Sequence, residues 1–395
     1  MKFETYLPTF SEFLESCPRE PLDPQGRYLF ISDLHMGNGG GRDDLERNRF
    51  LIESILERWY LKHDYTLVMN GDIEELQKFR LADIRSAWPR LLGTVDEFAR
   101  RGRLRKIIGN HDIALLEEKD YPWPLYPGLI YESGEDRIAV FHGHQSSDLY
   151  NKYENMTGFL IRYLVKPLHI RNSGGLPKDA RRRFAKERRI YRAARRFGVL
   201  AVTGHTHHPL FESMSKFDNI RFMVEDLTRE YSDAGEGRRS EIEETIMMLR
   251  REMARLSARK ERRRKTESLY GDSPFLVPCL FNSGCATGKH GITALEIAGA
   301  HISLVYWTVG ANTRPYISRE SRSIDFLDDD IWRYTIHEDR LETIFARLKL
   351  LGGDLAGPTV GAGIGAGPVD LDDLDDDLAG LDDDDDSSPR PFDFL

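Results

Sequence analysis

"KIIGNHDIALL", residues 106–116, places Asn110, His111 and Asp112 a single glycine after Ile107 and Ile108. An apolar run closing on Gly reads as the end of a buried strand. Such a strand delivers an amide oxygen, an imidazole and a carboxylate to its carboxyl end. Asn and Asp are also ordinary turn residues, so the trio alone fits a turn as well as a site.

Four other stretches have the same form. "RYLFISDLHMG" (27–37) closes on Asp33 and His35, and "YTLVMNGDIEE" (65–75) on Asn70, Gly71 and Asp72. "RIAVFHGHQ" (137–145) closes on His142 and His144, and "VLAVTGHTHHP" (199–209) on His205, His207 and His208. Between the first two runs, Phe50, Ile52, Ile55, Leu56 and Trp59 recur at helical spacing and predict a crossover helix. "SAWPRLLGTVDEFARRG" predicts a second, and strands alternating with helices imply an α/β fold. Later runs, "FLVPCLFNSGC", "GITALEIAG" and "HISLVYWTV", have short connections and read as an antiparallel meander. "DFLDDDIWRYTIHEDRLETIFARLKLLGG" carries a closing helix.

Carboxylates and neutral imidazoles are the usual ligands of borderline divalent metals, and an Asn oxygen is an acceptable weak one. In α/β sheets the carboxyl ends of neighbouring strands converge on one crevice. Each fragment alone has an ordinary structural explanation: a turn, a core histidine, a chance pair. Five in order, each at a strand end, do not.

The set Asp33-Leu34-His35, Gly71-Asp72, Gly109-Asn110-His111-Asp112, His142 and Gly204-His205-Thr206-His207 resembles the signature of the calcineurin-like metallophosphoesterase superfamily. The resemblance runs over residues 27–310, outside two insertions and a tail. It implies an α/β, four-layer αββα sandwich of two mixed sheets flanked by helices, with a dinuclear metal centre. Carried over by position, one metal takes Asp33, His35 and His207, a second takes Asn110, His142 and His205, and Asp72 bridges them. Two cations about 3.5–4 Å apart can generate a bridging hydroxide at neutral pH and stabilise both oxygens of an in-line displacement. His111 is then the non-ligand imidazole, a proton donor to the leaving oxygen, with Asp112 orienting it and favouring its protonated form. The N/O donor set admits Mn, Fe or Zn. The implied activity is hydrolysis of phosphate mono-, di- or pyrophosphate esters.

The net charge of −9 belongs to one end of the chain. Residues 370–395 hold twelve Asp and one Arg, so the remainder carries about +2. The Gly/Ala- then Asp-rich composition of 351–395 is that of a disordered tail, leaving 1–350 as the metallophosphoesterase domain. The last residues, "PFDFL", have the form of a short docking peptide. No apolar run reaches the roughly 18 residues of a membrane span. The acidic N-terminal stretch lacks the pattern of a signal peptide, and Cys17, Cys279 and Cys285 have no metal-finger spacing. A cytoplasmic protein is expected.

Residues 145–198 contain fourteen Lys/Arg against four Asp/Glu and lie between His142 and His205, as a basic helical cap would. They suit a polyanionic substrate, nucleic acid, a peripheral membrane surface, or simply a solvated basic helix. A cap in this place is similar to that of bacterial UDP-2,3-diacylglucosamine hydrolases, which typically carry Arg where this chain has His111. Residues 236–268 read as a polar helix whose Ile242, Ile246, Leu249, Met253 and Leu256 form a short heptad seam. That seam fits packing on its own domain or a homodimer. Two further readings keep the fold: a nuclease similar to the double-strand-break repair branch, and a non-catalytic scaffold as in the retromer subunit of the superfamily.

Overall fold

The computed structural model describes residues 3–146, 180–261, 269, 275–311, 317 and 321–352. Most of the cap insertion and the whole of 353–395 lie outside the described residues, as do 262–268 of the second insertion.

Two mixed sheets build the fold. The larger contains β2 (Arg27–Ile31), β3 (Thr66–Asn70), β4 (Leu104–Ile107), β5 (Leu125–Tyr126), β10 (Ile292–Ala298), β11 (His301–Val309), β12 (Ser323–Leu327) and β13 (Ile331–Arg340). Its order is β12-β13-β11-β10-β2-β3-β4-β5, parallel from β2 to β5 and antiparallel elsewhere. The smaller contains β1 (Arg19–Pro21), β6 (Leu129–Ser133), β7 (Asp136–Val140), β8 (Leu200–Thr203) and β9 (Leu280–Asn282), in that spatial order. There β7, β8 and β9 run parallel.

The pleat sorts side chains between layers. Phe30 and Val68 pack in one core with Tyr131, Ile138 and Leu280 of the smaller sheet. Their strand neighbours Leu29, Ile31, Leu67 and Met69 pack in a second core with helices. Both faces are covered, so these strands read as continuous apolar runs. The helices of that outer layer are α2 (Arg49–Ile55), continued by a π-helical turn Leu56–Tyr60, α3 (Leu81–Ala87) and α4 (Pro89–Arg100). Pro89 opens α4, where its missing N–H costs nothing. Against the smaller sheet lie α1 (Phe3–Ser16) and α5 (Ala180–Phe197), which bury Tyr6, Phe10, Phe13, Ile190 and Ala194.

The second insertion forms a hairpin of α6 (Lys216–Tyr231) and α7 (Glu236–Glu261). Ser215 caps α6 through a reciprocal capping box with Asp218. Ile220 and Leu249 pack onto Tyr306, Tyr334 and Ile336, with Met253 and Leu256 of the α7 seam partly buried against the same cluster. A last helix, α8 (Leu341–Leu351), follows β13. The sequence reading had missed α1, α6 and the β12–β13 hairpin.

Because Leu249 is fully buried, Leu249→Ala is expected to cost about 2–5 kcal/mol. Chemical denaturation measures this, and the midpoint should not change with protein concentration. A seam serving a dimer would make it concentration-dependent.

Candidate metal centre

Five strands, β2, β3, β4, β7 and β8, aim their carboxyl ends at one place. Asn70, the last residue of β3, fastens the two sheets there: its Nδ2 donates to Phe141 O and Val202 O at 3.1 and 3.3 Å. Beyond each strand the chain must turn within two residues to bring side chains inward. Ten non-glycine residues among those described adopt positive φ, and five of them are the expected ligands Asp33, His35, Asp72, His205 and His207. That conformation is costly for L-residues and concentrates at functional sites. Gly71 also has a positive φ, and a Cβ on it would lie 2.4 Å from His142 Nδ1. At Gly109 a Cβ would lie 2.1 Å from Asp72 Oδ1. These two positions admit no side chain without moving the donors.

Ligand atoms of Asp33, His35 and His207 come within 4.8 Å of one another, as do those of Asp72, His142 and His205. In the first group His35 Nε2 and His207 Nε2 are 3.1 Å apart, with Asp33 Oδ1 3.0 Å from His207 Nε2. In the second, His142 Nε2 is 3.0 Å from Asp72 Oδ2. Asn110 Oδ1 is buried with no hydrogen-bond partner, while Asp33 Oδ1 and His142 Nε2 face other members of the donor set, His207 Nε2 and Asp72 Oδ2, at 3.0 Å each. Orphaned buried donors and acceptors are rare and expensive. Carboxylate, imidazole and amide atoms gathered in this way fit a divalent cation.

The surrounding contacts fix the imidazoles. His142 Nδ1 donates to Asn70 O at 2.9 Å, and His35 Nδ1 to Glu75 Oε2 at 3.1 Å, so both present Nε2 inward. Glu75 also accepts from His111 Nδ1 at 2.9 Å through its other oxygen. Burial raises the Glu75 pKa, but the hydrogen bonds from His111 and His35 prevail and hold it well below the carboxylate range. The sequence reading passed over Glu75; its signal was an acid pair, Glu74-Glu75, one residue beyond Gly71-Asp72.

The expected role of Asp112 is corrected. Its carboxylate turns away from His111 and accepts from Gly109 N at 2.6 Å, Ile73 N at 2.9 Å and Lys106 Nζ at 3.1 Å. Glu75 is the partner of His111. The His111 Nε2 lies 4.0 Å from Asp72 Oδ2, facing the donors. Burial lowers the His111 pKa, yet the Glu75 hydrogen bond and the charges of Asp72 and Glu75 outweigh it, and the net shift is upward. His144 lies beside His142, ring centroids 5.5 Å apart, and burial with that neighbour pushes its pKa down to about 3. His208 faces Glu187 at 3.4 Å.

Residues 26–209 match the family model described as calcineurin-like phosphoesterase. Over residues 26–209 the chain has a calcineurin-like phosphoesterase domain. The match ends just past His207 and His208, so it spans all five loops that carry the expected ligands. Similar solved structures include a predicted phosphoesterase from Streptococcus pneumoniae TIGR4, 13% identical, covering 72% of this chain and 89% of that one at TM-score 0.25. Yfce, a phosphoesterase from E. coli, is 13% identical over 70% of this chain and 91% of its own, at TM-score 0.29. A single mutant of Vps29 from Entamoeba histolytica is 11% identical over 80% and 98%, at TM-score 0.29. No curated protein matches the sequence. The family is metal-dependent, in agreement with the donor groups. No helix among the described residues is long and apolar enough to cross a membrane.

Glu75→Gln in this phosphoesterase domain keeps the shape and removes the charge that orients His35 and His111. Manganese affinity or turnover should fall roughly 10- to 100-fold, the usual reach of such outer contacts. Calorimetric Mn titration beside an unchanged thermal midpoint checks this.

Proposed function

We propose that the protein hydrolyses phosphate mono-, di- or pyrophosphate esters at a centre of two divalent cations. The observation that supports this best is the pair of neighbouring donor groups, Asp33/His35/His207 and Asp72/His142/His205, with His111 beside them and held by Glu75. Asn110, whose Oδ1 is buried without a hydrogen-bond partner, completes the second group. When bound, the cations would activate water and offset charge on the phosphoryl oxygens. The intact donor set favours an enzyme over a scaffold.

In this reading His111 is the acid. Glu75 takes the Nδ1 proton as a hydrogen bond, which leaves Nε2 to carry a second proton toward the centre. The Glu75 hydrogen bond and charge favour that second proton. Nε2–H donates it to the leaving oxygen as the phosphorus–oxygen bond breaks. Glu75 meanwhile stabilises the imidazolium before the transfer and holds the ring in line. The basic α5 favours a polyanionic substrate, with nine Lys/Arg against one Glu.

Two experiments test the reading. Mn titration followed by metal analysis should give two ions per chain, and a stoichiometry of one or less would sink the dinuclear centre. His111→Ala should lower turnover about 10²–10⁴-fold with metal content intact. The loss should shrink for a good leaving group such as p-nitrophenolate. Metal loss in that variant would instead make His111 a ligand. A substrate panel of mono- and diesters, a nucleotide-sugar pyrophosphate and single-stranded DNA separates a small-ester hydrolase from a nuclease.

A further inference from the structure

We propose that Lys186 binds a phosphoryl oxygen of the substrate, so that the cap insertion supplies a charged contact inside the centre and not only a basic surface near it. The inference rests on the phosphoesterase reading above. Lys186 Nζ lies 2.8 Å from His205 Nε2, at the rim of the Asp72/His142/His205 group. An ammonium has three donors and no acceptor, so it can serve as ligand to no cation. Its charge opposes a divalent ion at the same imidazole. What it can share with such an ion is an anion, and a phosphoryl group presents several oxygens to do so.

The placement of Lys186 is built into the fold. Ile190, Tyr191, Ala193 and Ala194 bury one side of α5 in the core behind the smaller sheet. Glu187, itself 4% exposed, accepts from Thr206 Oγ1 at 2.7 Å, inside the loop that carries His205 and His207. Arg189 Nη1 donates to Ser146 O at 3.1 Å, close behind His142. The helix is thus pinned to both loops that flank the insertion.

Calorimetry on Mn-loaded wild type, Lys186→Ala and Lys186→Arg, with orthophosphate and separately with Mn as titrant, tests the assignment. Lys186→Ala should weaken orthophosphate binding roughly ten- to hundredfold, as expected for loss of a charged hydrogen bond. Lys186→Arg should recover part of it. Mn binding in Lys186→Ala should equal or exceed that of wild type, because a repelling charge is gone. Orthophosphate affinity unchanged in Lys186→Ala, or falling together with Mn affinity, overturns the proposal while leaving the phosphoesterase reading intact if wild type hydrolyses esters. A Mn-loaded wild type that cleaves no phosphoester and binds no orthophosphate overturns both.

Discussion

Asp112 gathers three parts of the chain onto one buried carboxylate. Its oxygens accept from Gly109 N, from Ile73 N and from Lys106 Nζ. The first two belong to the loops after β4 and β3, which carry Asn110, His111, Asp72 and Glu75. Lys106, on β4 itself, is fully buried and also reaches Glu74 at 2.7 Å. Burial works against its ammonium, but the charges of Asp112 and Glu74 raise the pKa overall. Tyr121 satisfies the other Glu74 oxygen through its hydroxyl at 2.7 Å. Removing one partner of such a buried pair typically costs about 3–5 kcal/mol, so the two loops have little freedom to separate. Asp72 and Asn110 hang from that junction.

The junction has to resist strain. Each of the five left-handed residues at the centre costs about 1–3 kcal/mol, which together approaches a domain's whole stability of about 5–15 kcal/mol. The backbone answers with cross-loop hydrogen bonds placed at the strained residues. Asp33 N donates to Gly71 O at 3.1 Å, and His35 N to Asp72 O at 3.0 Å. On the far side Gly204 N donates to His142 O at 2.9 Å. His205 N donates to Asp33 Oδ2 at 3.0 Å, which links the last ligand loop to the first. The geometry persists because each loop is braced by another, and none of these braces needs a side chain outside the centre.

This explains which features were legible in the sequence. The α/β order was visible because parallel strands covered on both faces leave unbroken apolar runs. The donor residues were visible because each follows such a run directly. Asp112 was misjudged since its partner, Lys106, sits on a strand where a lysine ordinarily points to solvent; only the packed structure reveals that this one is buried. Glu75 was missed because it lies beyond the Gly-Asp pair, and the histidines it holds, His35 and His111, are 40 and 36 residues away in sequence. The β12–β13 hairpin was merged with the closing helix because its strands mix charges with aromatics. Its turn, Asp328-Asp329-Asp330, relies on positive φ at Asp329 and Asp330, steadied by ion pairs from Arg58. Composition alone shows neither.

Glu75 also changes how the centre should be understood. One carboxylate, almost fully buried, accepts from His35 Nδ1 with one oxygen and from His111 Nδ1 with the other. The two rings stand edge to face, centroids 4.6 Å apart. Any movement of Glu75 therefore shifts His35 and His111 together. In the proposed reading, where His35 holds a cation and His111 donates a proton, Glu75 would couple the two. Residues that share one hydrogen-bonded partner do not contribute additively, so the loss from altering both Glu75 and His111 should fall short of the product of the separate losses. Lys78, whose ammonium lies 3.3 Å from Glu75 Oε2, adds a positive charge at the outer edge of the same carboxylate. It shares the oxygen that accepts from His35, whose bond at 3.1 Å is the longer of the two, while His111 holds the other oxygen at 2.9 Å.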